Sequence, residues 1–384
     1  MVHTLLLLSL CNFVVGTGAF IITGILAPIG DAMGVGVAAA GQAMTVYALS
    51  TALLAPLAVV ATGHWPRKQA LLAALGVFAA GNVVCALAPN LWTLLAGRAL
   101  MGVGAAFSPI AASIAVASVE PARRGRALSI VFLGVSLSYV IGLPLGAWLG
   151  LRFGWAVPVA AVAVATVLCL LLLAVALPRD IRAPGASFSG LGTLMKRPAV
   201  LNALSLTLLY FTAIFIVFSY IGPVLKALVP MDADRLSITL MLFGLSGVVG
   251  TLLGGWENDR LGWRRTLSLH LLVLAVMMVL VPLTRGSWAS LMCVMLIWGV
   301  AGFGMMTAQQ SRLALTAPAQ VPLLLSLNAS MLYLGTALGA AVGGLLAPSV
   351  GFDRLAWAGV PFALVGLLTL AVARGVSASG FPRR

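Results

Sequence analysis

Charged residues, and acidic ones above all, are scarce in this sequence of 384 residues. Asp and Glu together number 8, all charged residues make up 8% of the chain, and hydrophobic residues make up 62%. A water-soluble fold could not cover its surface with so few polar groups. The composition therefore predicts a protein whose main surroundings are a lipid bilayer.

Histidine and cysteine are also scarce, which argues against an enzyme or a metal centre. The chain has 3 histidines, at positions His3, His64 and His270. They lie far apart without paired acids inside the predicted membrane segments, whereas a membrane-embedded enzyme needs a nucleophile, a base or a metal cluster near one interface. The 4 cysteines have neither metal-ligand spacing nor the pattern of a disulfide framework. No cofactor is predicted.

Long apolar segments are what the chain has in abundance. A helix that crosses the hydrocarbon needs about 20 mostly apolar residues, because its backbone N–H and C=O groups must be paired within the segment. The sequence predicts twelve spans of an all-α membrane protein, which cover Thr4 to Pro28, Val37 to Ala61, Gln69 to Ala88, Trp92 to Val119, Arg126 to Leu149, Val157 to Leu177, Ala203 to Leu225, Leu236 to Trp256, Thr266 to Leu283, Trp288 to Gln309, Pro322 to Leu346 and Leu355 to Val372.

The net charge of +14 could suggest a nucleic-acid partner. The basic residues are scattered through alternate loops without interleaved aromatic residues, which is typical of an orientation signal, so no nucleic-acid partner is predicted. Arg98 apart, sixteen of them fall on one side of the twelve-span topology, Arg312 among them, and five fall on the other. Both termini are therefore predicted to lie in the cytoplasm.

The two halves of the chain repeat one another at a distance of 197 residues. Residues that match at this distance are Arg67 and Lys68 with Arg264 and Arg265, Gly102 with Gly299, Pro121 with Pro318, Gly142 with Gly339, Gly146 with Gly343 and Gly154 with Gly351. Repeated helical units are typical of transporters, which hold their substrate at the seam between the two bundles. The predicted organisation is a first six-helix bundle at residues 1–177, a cytoplasmic linker at 178–202 and a second bundle at 203–384.

The stretch GWENDRLGWRR after the eighth predicted span combines an acid with several basic residues. Its marked positions are Gly255, Asp259, Arg260, Gly262, Arg264 and Arg265. The Asp259 carboxylate can accept hydrogen bonds from a helix N-terminus or pair with an arginine, holding two helices together in one conformation and releasing them in another. The alternative is that the arginines are only positive-inside anchors. In the first copy of the repeat only the basic pair, Arg67 and Lys68, is retained.

This stretch resembles the cytoplasmic signature loop of the major facilitator superfamily. The sequence RALMGVGAA, with Arg98, Gly102 and Gly104, resembles the arginine-and-glycine motif of the same family's fourth helix. Arg98 lies ~9 Å inside the predicted helix at ~1.5 Å per residue. An arginine at that depth is costly, so Arg98 is a candidate for substrate contact or proton coupling. The alternative is that its side chain extends to the outer interface.

Small residues recur at every fourth position of the fifth span, which Pro144 interrupts. They are Gly134, Ser138, Gly142, Gly146 and Gly150. The pattern resembles a relaxed form of the glycine-and-proline motif of antiporters in the superfamily. The eleventh span has a matching stripe at Gly335, Gly339 and Gly343. Ordinary helix packing explains either stripe alone, whereas their repeat-related positions favour sliding contacts between the two bundles.

The segment PARRGRAL, Pro121 to Leu128, resembles the twelve-helix drug:proton antiporter branch. The resemblance runs over the whole chain and implies the major facilitator fold, two pseudo-symmetric six-helix bundles, and export coupled to protons. One departure bears on the mechanism: relatives commonly carry an acid at the position of Ala19. All eight acids of this chain are expected in loops or at helix ends, and His270 is expected to face the headgroups.

Polar and aromatic residues inside the spans are candidates for lining a central cavity, because buried amides and phenols need partners. With Arg98 they are Asn12, Thr17, Gln42, Tyr47, Ser108, Tyr139, Tyr210, Phe211, Phe215, Trp298, Gln309, Gln310, Asn328 and Tyr333. Candidates for conformational control are the signature-loop residues and Arg67, Lys68, Gly102, Gly104, Gly142, Pro144 and Gly146.

The sequence thus predicts a secondary transporter of a bacterial inner membrane that works as a monomer by alternating access. Its predicted substrate is a small, neutral or anionic, amphipathic organic molecule moved outward, with protons as the coupling ion. The alternatives are an uncoupled facilitator, a specific nucleoside or sugar exporter and, more distantly, a membrane receptor without a transport cycle or a membrane-embedded enzyme.

Overall fold

A computed structural model describes residues 2–120, 123–178 and 191–373. Within these ranges the chain is helical and contains no strand. The helices are α1 (Val2–Phe20), α2 (Leu26–Met33), α3 (Val37–Ala61), α4 (Arg67–Ala86), α5 (Leu91–Gly104), α6 (Phe107–Ala117), α7 (Arg124–Leu137), α8 (Leu143–Phe153), α9 (Ala156–Ala176), α10 (Leu191–Met195), α11 (Pro198–Phe218), α12 (Ile221–Leu228), α13 (Ala233–Leu261), α14 (Trp263–Leu280), α15 (Trp288–Thr316), α16 (Val321–Val350) and α17 (Val360–Val372).

Twelve of the helical stretches in the described residues are long and apolar enough to cross a membrane, as predicted. In chain order they are span 1 (His3–Gly24), span 2 (Val37–Ala61), span 3 (Arg67–Ala86), span 4 (Leu91–Ala117), span 5 (Arg124–Phe153), span 6 (Ala156–Ala176), span 7 (Pro198–Phe218), span 8 (Ala233–Leu261), span 9 (Trp263–Thr284), span 10 (Trp288–Thr316), span 11 (Val321–Val350) and span 12 (Leu355–Val372).

Because twelve crossings return the chain to the side on which it begins, span 1 starts and span 12 ends on one side, here called the terminal side. The opposite side is called the distal side. Spans 8 and 10 extend beyond their predicted ends at Trp256 and Gln309, to Leu261 and Thr316. The last turns of both spans contain polar residues that remain helical. Because these residues are not apolar, the hydropathy pattern of the sequence does not include them in the spans. The linker boundaries at 178–202 remain predictions, and residues 179–190 lie outside the described ranges.

The two halves repeat one irregularity, a break near the distal end of their first span. Helix α1 ends at Phe20 and α2 follows, whereas α11 ends at Phe218 and α12 follows. Pro28 and Pro223 each occupy the third position of the short second helix. A proline in a first helical turn costs little because the N–H it lacks would have no partner there. Both breaks are thus compatible with their local sequence.

The glycine stripes face neighbours within their own halves, so the prediction that they slide between the halves is wrong for this conformation. Side chains added at Gly142 and Gly146 would collide with Thr17 and Ile21 of span 1. A side chain at Gly339 would lie 2.6 Å from the Thr212 carbonyl oxygen of span 7. Small residues let helix backbones approach closely, and here they join spans 1 and 5, and spans 7 and 11.

The glycines of span 4 serve the same kind of packing. An added Cβ at Gly102 would lie 2.7 Å from the Tyr47 carbonyl oxygen of span 2, and one at Gly104 would lie 2.6 Å from the Cβ of Phe78 in span 3. Both predicted control glycines therefore hold the first half together.

Across the seam, span 2 packs on span 11 and span 5 packs on span 8. The close approaches are made by other glycines. An added Cβ at Gly244 would lie 2.6 Å from the Tyr139 carbonyl oxygen, and one at Gly222 would lie 2.8 Å from the Gly24 carbonyl oxygen.

Candidate functional site

Arg98 lies in the interior of the first half and binds the broken part of span 1. Its side chain is 2% exposed. The guanidinium donates hydrogen bonds to the carbonyl oxygens of Gly18 (2.8 Å), Ala19 (2.6 Å) and, in span 2, Ala43 (3.2 Å). The α-helix of span 1 gives way to a 3₁₀ turn after Phe20, and Arg98 supplies donors to carbonyl groups at that transition. The interpretation that Arg98 extends to the outer interface is therefore wrong.

The charge of Arg98 is not balanced by an acid. In the described part of the chain its contacts are the three carbonyl groups, two methionine sulfurs and the face of Tyr47, whose ring centre lies 4.5 Å from the guanidinium carbon. Tyr47 in turn meets Tyr333 of the second half edge-on, with ring centres 6.4 Å apart. One tyrosine pair therefore separates an uncompensated buried cation from the second half.

Several predicted cavity residues instead form polar junctions inside the halves. Asn12 of span 1 donates to the Val131 carbonyl oxygen at 3.1 Å and accepts a hydrogen bond from Ser108 at 2.7 Å. In the second half, Thr207 donates to the Asn328 side-chain oxygen at 2.6 Å and accepts from Gln309 at 2.9 Å. Asn12, Gln309 and Asn328 are buried, so in this conformation they join helices and are not open to a cavity.

Aromatic rings fill the middle of the seam. Phe20, at the end of α1, lies against Tyr139 at 4.8 Å between ring centres and against Phe215 and Phe218 at 6.1 and 6.2 Å. Tyr139 also meets Phe303 edge-on at 5.3 Å. We call these five residues the seam aromatics.

The other predicted aromatic residues extend the seam aromatics into the second half. Phe211 stacks on Phe215 and touches Tyr210, while Trp298 meets Phe243, which contacts Phe218. The sequence therefore identified part of a real cluster.

Three predicted cavity residues lie elsewhere. The Thr17 hydroxyl donates to its own helix at the Phe13 carbonyl oxygen, 2.7 Å away. Gln42 is half-buried at the distal end of span 2, close to Gly344 of span 11. Gln310 is exposed.

The distal side carries several hydrogen bonds between the halves. Asp234 of span 8 accepts from the Trp148 indole N–H at 2.7 Å and pairs with Arg152 at 3.0 Å, both in span 5. The Ser237 hydroxyl donates to the Pro144 carbonyl oxygen at 3.0 Å. The Tyr220 hydroxyl lies 3.5 Å from the Ala38 carbonyl oxygen. We call these contacts the distal gate.

On the terminal side, the predicted control residues bind within their own halves. Lys68 donates to the Ala174 and Leu177 carbonyl oxygens at the end of span 6, both at 2.6 Å. Arg264 makes the matching contact with the Ala371 carbonyl oxygen near the end of span 12, at 3.4 Å. Each basic residue thus interacts with a helix C-terminus, where cations are favoured.

Among the described residues, the other marked positions of the stretch Gly255 to Arg265 also make no bond across the seam. Arg260 lies over the Trp256 ring at 4.5 Å, Gly262 ends span 8 with a positive φ of 77°, and Arg67 donates to the Gly63 carbonyl oxygen. Asp259 and Arg265 are exposed, and within the described residues neither forms a hydrogen bond or an ion pair. The predicted Asp259 contact between helices is not formed in this conformation.

The expectation that His270 faces the headgroups is wrong. Glu257 lies near the end of span 8, four residues before Leu261, as expected for an acid at a helix end. Both are buried, and His270 Nε2 lies 2.5 Å from a Glu257 carboxylate oxygen. His270 Nδ1 lies 3.0 Å from the Ala301 carbonyl oxygen, which can only accept, so Nδ1 donates. Nε2 and the carboxylate therefore share one proton, and the second half has a buried proton-binding pair.

Sequence reasoning missed the residues whose partners lie on other helices. The predicted end of span 8 at Trp256 left Glu257 outside the span, so its contact with His270 was not expected. Arg312 was counted among the loop cations, although it lies inside span 10 and is 4% exposed. A usable signal did exist for Phe20 and Phe218: each stands at the end of the first span of its half and precedes a short helix with Pro at its third position.

Comparisons with known proteins agree with this architecture. The family model of the Major Facilitator Superfamily matches residues 8–320 and 237–382. The chain is 31% identical to the inner membrane transport protein YdhP of Escherichia coli (strain K12), over 95% of this chain and 94% of that protein. It is 28% identical to the uncharacterized MFS-type transporter YbcL of Bacillus subtilis (strain 168), over 94% and 93%.

The fold has a solved counterpart. The crystal structure of a bacterial homolog to the human lysosomal transporter Spinster, in an inward-facing and occupied conformation, superposes with a TM-score of 0.84 at 17% identity and covers 97% of this chain and 96% of that one. With twelve spans, two related halves and a family match along its length, this chain belongs to the Major Facilitator Superfamily of membrane transporters.

Proposed function

We propose that this transporter exports small, neutral or anionic, amphipathic organic molecules from the bacterial cytoplasm. The observation that carries the substrate class is the buried charge of Arg98, which has no carboxylate beside it. An uncompensated cation in a medium of low dielectric repels cationic substrates and attracts acidic or electron-rich groups. The seam aromatics supply the apolar surface that an amphipathic molecule needs.

We propose that export proceeds by alternating access between two arrangements of the halves. The distal gate is formed here, whereas the signature loop makes no bond to the part of the first half that the structure describes. With the terminal side predicted to be cytoplasmic, this is the conformation that takes up a substrate from inside the cell. We propose that the protein lies in the bacterial inner membrane with both termini in the cytoplasm, as the distribution of basic residues predicts, and that it acts as a monomer.

We propose that protons drive the cycle, with Glu257 and His270 as the proton-binding group. They are an acid and a base of the described residues that are buried in contact with each other, 2.5 Å apart. The pair contacts spans 8, 9 and 10, whose relative positions can thereby depend on protonation. An uncoupled facilitator is the second candidate, and the lack of an acid beside Arg98 favours it.

Proteoliposomes with an imposed pH gradient test both proposals. The panel is uridine as a neutral probe, carboxyfluorescein as an anion and ethidium as a cation. We expect uphill movement of the neutral or anionic probe. Glu257→Gln should abolish accumulation driven by the gradient while downhill movement continues. Transport rates that do not depend on the pH gradient would contradict proton coupling and support an uncoupled facilitator.

A matched pair of variants tests the substrate class. The Ala19 carbonyl oxygen lies 2.6 Å from the Arg98 guanidinium, so a carboxylate at position 19 lies near enough to neutralise that charge. Ala19→Asp should lower transport of the anion by about tenfold or more, since a charged contact contributes ~1.5–3 kcal/mol. Ala19→Asn, of equal size and no charge, should not. Preferential transport of ethidium by the natural chain would overturn the proposed class.

A further inference from the structure

A cavity of about 420 Å³ lies away from the seam, at the terminal side of the second half. Spans 7, 9, 10 and 12 meet around it. Asn202, Trp263, Arg312 and Thr316 give it a polar wall, while Leu315 and Val372 belong to its apolar border. The transport cycle proposed above assigns no role to this cavity.

Arg312 is the residue whose chemistry needs a ligand. It lies four residues before the end of span 10 and is 4% exposed. Nη2 donates to the Asn202 side-chain oxygen, and the guanidinium lies 5.0 Å from the centre of the Trp263 ring. Nη1 is shielded from water and has no hydrogen-bond partner among the described residues. A buried guanidinium with an unused donor is costly, and a bound anion would remove that cost.

The partners of Arg312 are fixed in position by further bonds. The Asn202 side-chain N–H donates to the Thr369 carbonyl oxygen of span 12 at 3.2 Å, so its oxygen is turned to Arg312. Trp263 is the first residue of α14. The guanidinium is therefore held between an amide and an aromatic face before any ligand arrives, which reduces the entropy lost on binding.

The charge around the cavity is positive. No carboxylate of the described residues lies within ion-pair distance of Arg312. Arg264, next to Trp263, adds a second cation and binds the last turn of span 12, whose C-terminus would otherwise contribute negative potential. Helix α11 begins at Pro198, and Pro198 and Ala199 border the cavity without a side-chain cap at that helix end. Pro198 has no N–H, and the N–H groups of Val200 and Leu201 donate to the Arg197 carbonyl oxygen. Among the described residues, the Ala199 N–H is therefore the donor that this first turn leaves for an anion.

The apolar border indicates where the anion comes from. Val372 is 75% exposed and Leu315 is 43% exposed, which places part of the rim on the surface that faces lipid. The cavity lies at the helix ends, at the level of the headgroups. A ligand with a phosphate group and acyl chains would satisfy both parts of this site.

We propose that this cavity is a phosphate-binding site, occupied by the headgroup phosphate of a phospholipid in the leaflet of the terminal side. Arg312 and the start of α11 bind the phosphate, and the acyl chains lie along the outer surface beside Val372. The site is separate from the seam and does not depend on the proposed transport function.

Lipid binding to the purified full chain tests the proposal. Native mass spectrometry would compare phosphatidylglycerol with a phosphate-free glycolipid of the same acyl chains. The natural chain should retain phosphatidylglycerol preferentially. Arg312→Gln should weaken that binding by about tenfold or more, because a charged hydrogen bond is lost. Arg126→Gln is the matched control, since it removes an exposed charge at the terminal side of the first half.

A second variant serves in case the loss of Arg312 disturbs folding. Ala199 is exposed at the start of α11, where an acid is compatible with the helix. Ala199→Glu should therefore fold and yet repel phosphate as Arg312→Gln does, whereas Ala199→Gln should bind normally. Equal retention of phosphatidylglycerol by the natural chain, Arg312→Gln and Ala199→Glu would overturn the proposal.

A competition experiment identifies the source of the phosphate. Displacement of phosphatidylglycerol by millimolar inorganic phosphate or glycerol phosphate would support a site for soluble phosphates. Resistance to both, together with retention of the phospholipid, would support a lipid site. Equal binding of the phosphate-free glycolipid would contradict phosphate recognition in either form.

Discussion

At the scale of single residues, the buried ionisable side chains of this protein have three different kinds of partner. Arg98 donates to backbone carbonyl groups, Glu257 is paired with His270, and Arg312 keeps a donor without a partner. Each arrangement is costly in a bilayer unless bonds compensate it. The three sites should therefore respond differently when a side chain is removed, and the Glu257–His270 pair allows the clearest measurement.

Replacing one member of the Glu257–His270 pair should lower the free energy of unfolding more than replacing both. His270→Ala leaves Glu257 buried without a partner, which costs about 3–5 kcal/mol, whereas replacing both members by apolar residues of similar volume is often nearly neutral. We expect a large fall in the thermal unfolding midpoint for His270→Ala and a small one for Glu257→Met combined with His270→Met. Exposed His64→Ala is the control. A double variant as unstable as the single one would contradict a pair that is mutually dependent.

At the scale of helices, the glycine stripes determine which spans approach one another. Gly339 faces span 7, where an added Cβ would lie 2.6 Å from a carbonyl oxygen, whereas Gly76 in span 3 has open space around it. Gly339→Ala should therefore destabilise the second half by about 1–3 kcal/mol through overpacking. Gly76→Ala should be neutral or should stabilise its helix by up to about 1 kcal/mol. Thermal unfolding in detergent measures both, and equal midpoints would contradict the assigned packing.

The same scale shows what the sequence could predict. Twelve spans and two related halves were predictable, because each crossing must contain its own apolar residues and backbone bonds. The small residues of span 5 were also evident in the sequence. A helix face of small residues predicts close packing, but it does not indicate which helix packs against it. Arg98 was identified by its depth. Its partners, the carbonyl groups of Gly18 and Ala19, lie at a helix break. Pro28 marks the short helix after that break, but it does not indicate which side chain donates to the carbonyl groups.

At the scale of the whole molecule, the distal gate is the contact that distinguishes one arrangement of the halves from the other. Asp234→Ala removes an exposed ion pair and the Trp148 hydrogen bond, which together contribute about 1 kcal/mol. The population with an open distal side should rise about fivefold. A cysteine introduced at Ala38, in a Cys293→Ser background, should then react faster with a membrane-impermeant maleimide applied from the distal side.

The control for this shift lies on the same side of the protein. Asp353→Ala breaks the ion pair with Arg285, which joins two parts of the second half and does not cross the seam. It should leave the labelling rate unchanged. Equal rates in Asp234→Ala and the natural chain would show that the gate does not depend on this contact.

A covalent bond across the seam should stop the cycle, whereas one within a half should not. The Cβ position of Gly244 in span 8 lies 2.9 Å from the Cα of Val140 in span 5, and that of Gly150 in span 5 lies 3.3 Å from the Cβ of Ile25. The Cβ atoms of a disulfide are about 3.5–4.5 Å apart. Both positions are closer than that, so each pair can be bridged after a small shift of its two segments, and the two variants are matched in this respect. Oxidation of the Val140→Cys, Gly244→Cys pair should abolish uptake of whichever panel probe is transported, and reduction should restore it. Oxidised Ile25→Cys, Gly150→Cys should remain active, because both residues move with the first half. Full uptake with a complete crosslink across the seam would contradict alternating access.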